Sequence, residues 1–211
     1  SRVFCHGRSW RPARFCQAIS CSVKGLRVAK FCLDSGYGST DNTASFSAGL
    51  TAPPMTQAQS DSRTLRNALG RFATGVAIVT AIDPDGHPIG LTINSFSAVS
   101  LDPALVLWCL DNSSHNLAAF QKASHHAINI LSAEQENLSN RFATWPTDRF
   151  AGLAWHAGAG GAPLFPGCCA SFEMANVTQH AAGDHTIFIG SVERFTDTPD
   201  LAPLLFHAGR Y

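Results

Sequence analysis

An apolar hairpin near the middle of the chain constrains the fold more than any other feature. Residues 75–83, "GVAIVTAID", form an apolar, β-branched run that predicts a strand buried on both faces. The next residues, "DPDGHP", carry strong turn signals. Residues 89–99, "IGLTINSFSAV", then predict the returning strand. A hairpin at this position places the region in an antiparallel sheet.

Four more runs extend the predicted sheet. "ALVLWCL" and "HHAINILS" each predict a strand, with Trp108 in the core and His125 and His126 on opposite faces. Residues 168–195 predict two strands joined by a glycine turn at 182–184. No GxGxxG follows a strand, which argues against a dinucleotide-binding α/β domain. The fold class predicted is therefore mainly β with short helices, as an antiparallel barrel.

Three short helices are predicted between the strands. Residues 60–72 place Leu65, Leu69 and Phe72 on one face, with Asp61 or Ser62 as the cap. Residues 113–123 predict a helix capped by Ser113 or Ser114, and residues 133–143 predict a third helix. Residues 144–167 are rich in Gly, Pro and Trp and predict a long surface loop.

The amino-terminal quarter differs from the rest in composition. Residues 1–54 hold seven Lys or Arg, two acids and four of the seven Cys. Three interpretations remain open: a basic targeting peptide, a small metal or disulfide module that lacks CxxC pairing, and an over-long reading frame with Met55 as the start. We expect residues 1–54 to be a disordered or non-native extension and residues 55–211 to be the folded domain.

Bulk properties exclude some partners. The chain of 211 residues is 45% hydrophobic and 14% charged, with a formal net charge of zero. It contains no apolar stretch of the roughly 18 residues that a membrane span needs. We therefore expect neither nucleic acid nor a membrane as a partner, and a cytoplasmic location.

Residues 92–100, "TINSFSAVS", concentrate hydroxyl and amide groups between two core-like runs. One interpretation is a polar strand face in water. The other is a set of donors that converges on a ligand rich in acceptors.

Six segments together resemble the flavin reductase-like family. They are "FATGVAIVTA", "GLTINSFSAVSLDPALVLWCL", "AINILSAEQENLSNRFA", "DRFAGLAW", "GDHTIFIGSV" and "PLLFHAGRY", in the family's order and spacing. The resemblance runs from about Leu65 to Tyr211. It implies an FMN-binding split antiparallel β-barrel that forms a homodimer, with FMN or FAD near the dimer interface. Because the family usually continues past "GRY", it also implies a truncated carboxyl end.

The resemblance also implies the site residues. The flavin is expected to contact Pro88, Ile89, Gly90, Leu91, Thr92, Asn94 and Ser95, with Cys109, Leu110, Asp111, His115, Asn116, Arg141 and Phe142 completing the pocket. Arg141 is the expected phosphate partner, through bidentate geometry. His115 and Asn116 would lie at a helix amino end, which favours anions.

The nicotinamide is expected at two further motifs. His185 of "GDHTIFIG" is the expected catalytic residue, orienting NADH or NADPH, although a plain turn histidine remains the alternative. Phe206, His207, Ala208 and Gly209 match a stretch that contacts the nicotinamide nucleotide in the family. His207 and Ala208 depart there from the more usual tyrosine-arginine.

The activity implied is hydride transfer from nicotinamide C4 to flavin N5, which supplies reduced flavin to a separate oxygenase. Such a step needs no side-chain acid or base, since the flavin carries the chemistry. Two alternatives stay open: a flavin- or haem-binding split barrel without reductase activity, and an interaction module that docks an oxygenase through residues 1–54. Hydrolysis has no support, because GxSxG is absent.

Overall fold

The computed structural model describes residues 62–144 and 148–211, so the predicted extension, residues 1–54, lies outside the described residues. The described helices are α1 (Ser62–Leu69), α2 (Leu117–Lys122) and α3 (Glu136–Ala143), the last preceded by a 3₁₀ turn (Ala133–Gln135). The described strands are β1 (Thr74–Gly75), β2 (Ala77–Ile82), β3 (Pro88–Ile93), β4 (Ser97–Leu101), β5 (Ala104–Asp111), β6 (His125–Ile130), β7 (His156–Ala157), β8 (Pro163–Leu164), β9 (Ala170–Ala182), β10 (His185–Asp197) and β11 (Leu205–Phe206). This composition confirms the mainly β prediction.

The main sheet must curl, because its two edge strands are consecutive in the chain. Seven antiparallel strands follow the order β3-β2-β6-β9-β10-β5-β4. In a flat sheet the edges would lie about 29 Å apart, at roughly 4.8 Å for each strand spacing. Four Cα steps from Ile93 to Ser97 span at most about 14 Å. The edges therefore approach each other without pairing, which is the geometry of a split barrel.

One predicted strand is wrong, because residues 89–99 form two strands on opposite edges of the sheet. Ser95 accounts for the break. Its hydroxyl donates to the Cys109 carbonyl at 3.1 Å and accepts from the Cys109 N–H at 3.0 Å. A side chain thus makes the two bonds that a neighbouring backbone would make in a continuous ladder. The chain can leave β3 and begin β4 within three residues.

Strand β2 is buried on both faces, as predicted, because alternate residues enter two separate clusters. Val79 packs in one cluster with Trp108 and Phe188, and Ile78 packs in the other with Phe142. The Trp108 ring is fully buried and stacks on Phe188 with ring centroids 4.5 Å apart. The prediction of Trp108 as a core residue is confirmed.

Helix α1 is shorter than predicted and presents an uncovered apolar face. It ends at Leu69 rather than at Phe72, and its predicted cap Asp61 lies outside the described residues. The side chains of Leu65, Leu69 and Phe72 are 51%, 67% and 80% exposed. The amphipathic pattern is therefore present, but no described residue covers its apolar side. None of the described helices is long and apolar enough to cross a membrane.

Helix α2 begins at Leu117, later than predicted, and neither predicted serine caps it. The Ser113 hydroxyl instead donates to the Asp111 carboxylate at 2.7 Å, within the turn after β5. The Ser114 hydroxyl accepts from the Asn116 N–H at 3.3 Å in the same turn. The serines form the turn before the helix because short hydroxyl side chains bond readily to nearby backbone.

Residues 144–167 were predicted as a surface loop, and the described part of this segment is instead partly buried. Leu164 and Phe165 are each 5% exposed, and Leu164 packs with Ala127 of β6. The Thr80 hydroxyl donates to the Pro163 carbonyl at 2.6 Å. The Gly- and Pro-rich segment contains a short apolar stretch that packs on β2 and β6.

Candidate functional site

A cleft of about 630 Å³ lies between α1 and the last described residues of the chain. Its walls are α1 with the turn after it, Thr74 of β1, Asn94 after β3, and the segment from Phe206 to Arg210. The pairing of β1 with β11 sets Thr74 opposite Phe206 and so joins two of these walls. A volume in this range suits a ligand of nucleotide or drug size.

A tight turn near Ala208 forms one wall of the cleft. The His207 N–H donates to the Arg210 carbonyl at 2.8 Å, and the Ala208 N–H donates to the Gly70 carbonyl at 2.9 Å. Ala208 has a φ of 51°, in the left-handed region that a residue with a Cβ rarely adopts. Such a conformation costs about 1–3 kcal/mol and persists where surrounding contacts impose it. The bond to Gly70 holds the turn against α1.

Arginine side chains make the cleft positive. Arg66, Arg71 and Arg210 line it, and no carboxylate occurs among the described residues that do so. All three arginines are exposed residues, so their charges lie toward solvent. A guanidinium offers a planar fork of donors that matches phosphate geometry. The cleft is therefore suited to a ligand with an anionic end.

The structure separates the predicted site residues into three groups. Asn94, Phe206, Ala208 and Gly209 line the cleft, with His207 in the same turn. Pro88, Ile89, Gly90, Leu91 and Thr92 lie on edge strand β3, against α3, which carries Arg141 and Phe142. The third group lies at the end of β5, in the turn after it and at the start of β10, and consists of Cys109, Leu110, Asp111, His115, Asn116 and His185. Ser95 joins this group through its two hydrogen bonds to Cys109.

The group on β3 is held by packing and hydrogen bonds within the protein. A Cβ added to Gly90 would lie 2.9 Å from Cε1 of Phe142, so the glycine allows that buried ring to pack. The Thr92 hydroxyl donates to the Ser139 carbonyl at 2.6 Å. Arg141, the predicted phosphate partner, donates to the Ala151 carbonyl. These side chains stabilise the contact of β3 with α3 and with the loop after it.

The third group is mostly polar, with Asp111 and His115 exposed and the other polar members half-buried. His185 lies opposite Asp111 in the β5–β10 register, and its Nδ1 is 2.7 Å from Oδ1 of Asp184. Hydrogen bonds from Ser113 to the Asp111 carboxylate, with the nearby His185, hold the pKa of Asp111 below its usual value. Leu110 is 4% exposed and packs in the core, so its side chain faces inward.

The neighbouring residues Asn94 and Ser95 should respond differently to truncation. Asn94 is exposed and lines the cleft, whereas the Ser95 hydroxyl makes two bonds to Cys109. We expect Asn94→Ala to weaken flavin binding with an unchanged melting temperature. We expect Ser95→Ala to reduce the free energy of unfolding by about 1–3 kcal/mol, because two backbone groups lose their partner. Flavin titration and thermal unfolding of both variants measure this; equal effects on both properties would contradict the assignment.

The sequence motifs did not indicate eight of the residues that line the cleft, among them Arg66, Arg71, Thr74 and Arg210. Three of these residues are arginines, and they belong to the eight Lys or Arg that follow residue 54. The clustering of basic residues near both ends of the folded part could therefore have indicated the cleft. That the two ends meet is a property of the β1–β11 pairing, between two-residue strands that no periodicity reveals.

The structure is therefore a split antiparallel β-barrel with an arginine-lined cleft that is suited to an anionic ligand. Comparison with known families identifies it further: residues 69–211 match the flavin reductase like domain. The chain belongs to this family, as the sequence motifs predicted.

Named relatives share most of the folded part. The chain is 49% identical over 151 residues to an FMN reductase (NADH), SmoA, of Agrobacterium fabrum, covering 72% of this chain and 85% of that protein. It is 47% identical over 149 residues to the reductase component of a flavin-dependent trigonelline monooxygenase of Acinetobacter baylyi, covering 71% of this chain and 48% of that protein. The chain thus spans about half the length of that second relative.

A solved structure is similar in fold and sequence. It is the NADH:FAD oxidoreductase SgcE6 of Streptomyces globisporus in complex with NAD and FAD fragments, with a TM-score of 0.68 and 38% identity. The match covers 71% of this chain and 90% of that one.

Proposed function

We propose that this protein is an NAD(P)H:flavin oxidoreductase that supplies reduced FMN or FAD to a separate monooxygenase. The observation that carries the proposal is the family match over residues 69–211, which includes most of the arginine-lined cleft. Relatives named as FMN reductase and as a monooxygenase reductase component confirm the enzyme interpretation over a flavin-binding protein without activity.

The cleft residues fit a flavin or nicotinamide nucleotide. Arg66, Arg71 and Arg210 would hold phosphate, and the Asn94 amide offers both a donor and an acceptor for a ring edge. A flavin held by these residues would supply the electron sink for hydride from the reduced nicotinamide. The contribution of the protein is to bind both partners and to orient them.

A direct assay tests the function. NADH and NADPH oxidation is measured with FMN, FAD and riboflavin in turn, and we expect oxidation that requires added flavin. The combination of pyridine nucleotide and flavin that gives the fastest oxidation identifies both cofactors. A pure protein that titrates no flavin and oxidises neither pyridine nucleotide would overturn the proposal.

We propose that His185 orients the nicotinamide. Its Nδ1 donates to the Asp184 carboxylate at 2.7 Å, and this bond orients the imidazole ring. We expect His185→Ala to raise the KM for NADH several-fold with little change in the KM for flavin. His87→Ala is the matched control, since His87 also lies in a hairpin turn beside an aspartate, Asp83. Equal changes in both KM values would exclude the role.

We also propose a cytoplasmic homodimer that works with a separate oxygenase. Support for a second copy comes from the family resemblance and from the exposed Leu65, Leu69 and Phe72 of the α1 region. Support for the oxygenase comes from relatives that are reductase components of monooxygenases. Sedimentation of the purified chain tests the dimer, and a monomer at micromolar concentration would contradict it.

A further inference from the structure

The hydroxyl of Thr74 has no hydrogen-bond partner. Within residues 62–144 and 148–211, the buried side-chain polar atoms without a partner are Thr74 Oγ1 and Asn176 Oδ1. Other shielded hydroxyls are paired, such as Thr80 with the Pro163 carbonyl at 2.6 Å and Thr186 with Asn112 at 2.7 Å. A buried polar atom left unpaired is costly, and in a native fold it calls for an explanation.

Thr74 also lies in the wall of the cleft. It belongs to β1, directly opposite Phe206 of β11, and it lines the cleft together with Asn94. Its hydroxyl is shielded from solvent, whereas the cleft arginines are exposed residues. The cleft therefore has exposed charged groups, and its wall holds a residue whose uncharged hydroxyl is buried and unpaired.

The exposed arginines and the uncharged Thr74 would orient a bound nucleotide in one direction. A phosphate stays near water and the guanidinium groups, because burial of a charge without a partner is expensive. The uncharged ring system would then lie toward Thr74. Arginine can only donate hydrogen bonds, whereas a hydroxyl can also accept one. A ring that carries an imide or amide N–H needs such an acceptor.

We propose that Thr74 is a ligand-binding residue whose hydroxyl hydrogen-bonds to the amide- or imide-bearing ring of the bound nucleotide. Because Oγ1 is buried in this structure, binding would require a rotation about χ1 that exchanges the positions of the hydroxyl and the methyl group. Flavin and nicotinamide both carry this chemistry. The inference rests on the proposed function and adds the residue that recognises the ring.

The experiment compares Thr74→Val with Thr74→Ser and with Thr80→Val. For each purified variant, the melting temperature without ligand and the Kd values for FMN, riboflavin and NAD⁺ are measured. We expect Thr74→Val to keep or raise the melting temperature, because an unpaired hydroxyl is removed, and to weaken ligand binding roughly 5- to 100-fold. We expect Thr74→Ser, which keeps the hydroxyl, to bind the ligands as tightly as the wild type. We expect Thr80→Val to have a lower melting temperature and an unchanged affinity, since the Thr80 hydroxyl bonds within the protein.

The outcomes show whether Thr74 binds the flavin or the nicotinamide ring. They also distinguish a failure of this inference from a failure of the proposed function. Weaker binding of FMN and riboflavin assigns the hydroxyl to the flavin ring, and weaker binding of NAD⁺ alone assigns it to the nicotinamide. Thr74→Val that binds every ligand as tightly as the wild type overturns the inference, even when flavin reduction is intact. A wild type that binds flavin but oxidises no NAD(P)H overturns the proposed function, while the affinity comparison for Thr74 still stands.

Discussion

Acidification from pH 7 to pH 4 is expected to remove about 3 kcal/mol of unfolding free energy through one side chain, His126. His126 is fully buried in β6. Its Nδ1 accepts from the Trp108 indole N–H at 3.2 Å, and its Nε2 is 3.0 Å from the Phe120 carbonyl. The imidazole is therefore held neutral, with the proton on Nε2. A second proton on Nδ1 would break the bond to Trp108.

The direction of the pH dependence follows from the pKa of His126. Burial lowers this pKa from 6.5 to about 4, opposed by the bond to the Phe120 carbonyl and aided by the nearby His125. Below pH 6.5 the imidazole of residue 126 is protonated in the unfolded chain but not in the folded protein. The free energy of unfolding therefore decreases as the pH is lowered. The loss continues down to about pH 4, where the folded state is protonated too. At 1.36 kcal/mol for each pH unit, the difference corresponds to about 3 kcal/mol.

Denaturant unfolding from pH 7 to pH 4 measures this loss. His126→Gln keeps an acceptor for Trp108 and a donor for Phe120 without a titrating group. We expect the unfolding free energy of this variant to depend less on pH than that of the wild type, by the part of the slope that His126 contributes. His125→Gln is the matched control, because His125 is the half-buried neighbour on the opposite face of β6. A variant at position 126 with the wild-type slope would contradict the assignment.

The strand pattern could be predicted because alternation and burial are local properties. The apolar run at β2 and the alternation of His125 and His126 appear as predicted, and the glycine turn predicted at 182–184 is present between Ala182 and His185. The break after Ile93 could not be predicted in the same way. It depends on Ser95 bonding to Cys109, fourteen residues away, and no local propensity encodes such a bond.

The hydroxyl-rich stretch shows why the role of a side chain is difficult to predict from a motif. Thr92 and Ser95 belong to the hydroxyl-rich stretch, yet their hydroxyls bond to Ser139 and Cys109 within the protein. Asn94, between them, reaches the cleft. A polar residue in a sequence motif can serve the fold or the ligand, and only its partners distinguish the two roles.

Neutralising the cleft arginines should have the largest effect on nucleotide binding. Arg71 follows α1 and Arg210 closes the Ala208 turn, so they approach a ligand from different walls. A hydrogen bond to a charged group contributes about 1.5–3 kcal/mol. We therefore expect Arg71→Gln and Arg210→Gln each to weaken FMN binding by roughly 10- to 100-fold, and the double variant to weaken it further. Fluorescence titration of FMN measures the loss.

Riboflavin separates a phosphate contact from a ring contact, because it has the flavin ring but no phosphate. Its affinity should not change in either arginine variant, and the salt dependence of FMN binding should decrease. Lys122→Gln removes an exposed charge outside the cleft lining and is the matched control. Equal losses for FMN and riboflavin would show that the arginines support the ring or the fold. A loss confined to NADH would assign the cleft to the pyridine nucleotide, since its pyrophosphate would then be the group that the guanidinium side chains bind.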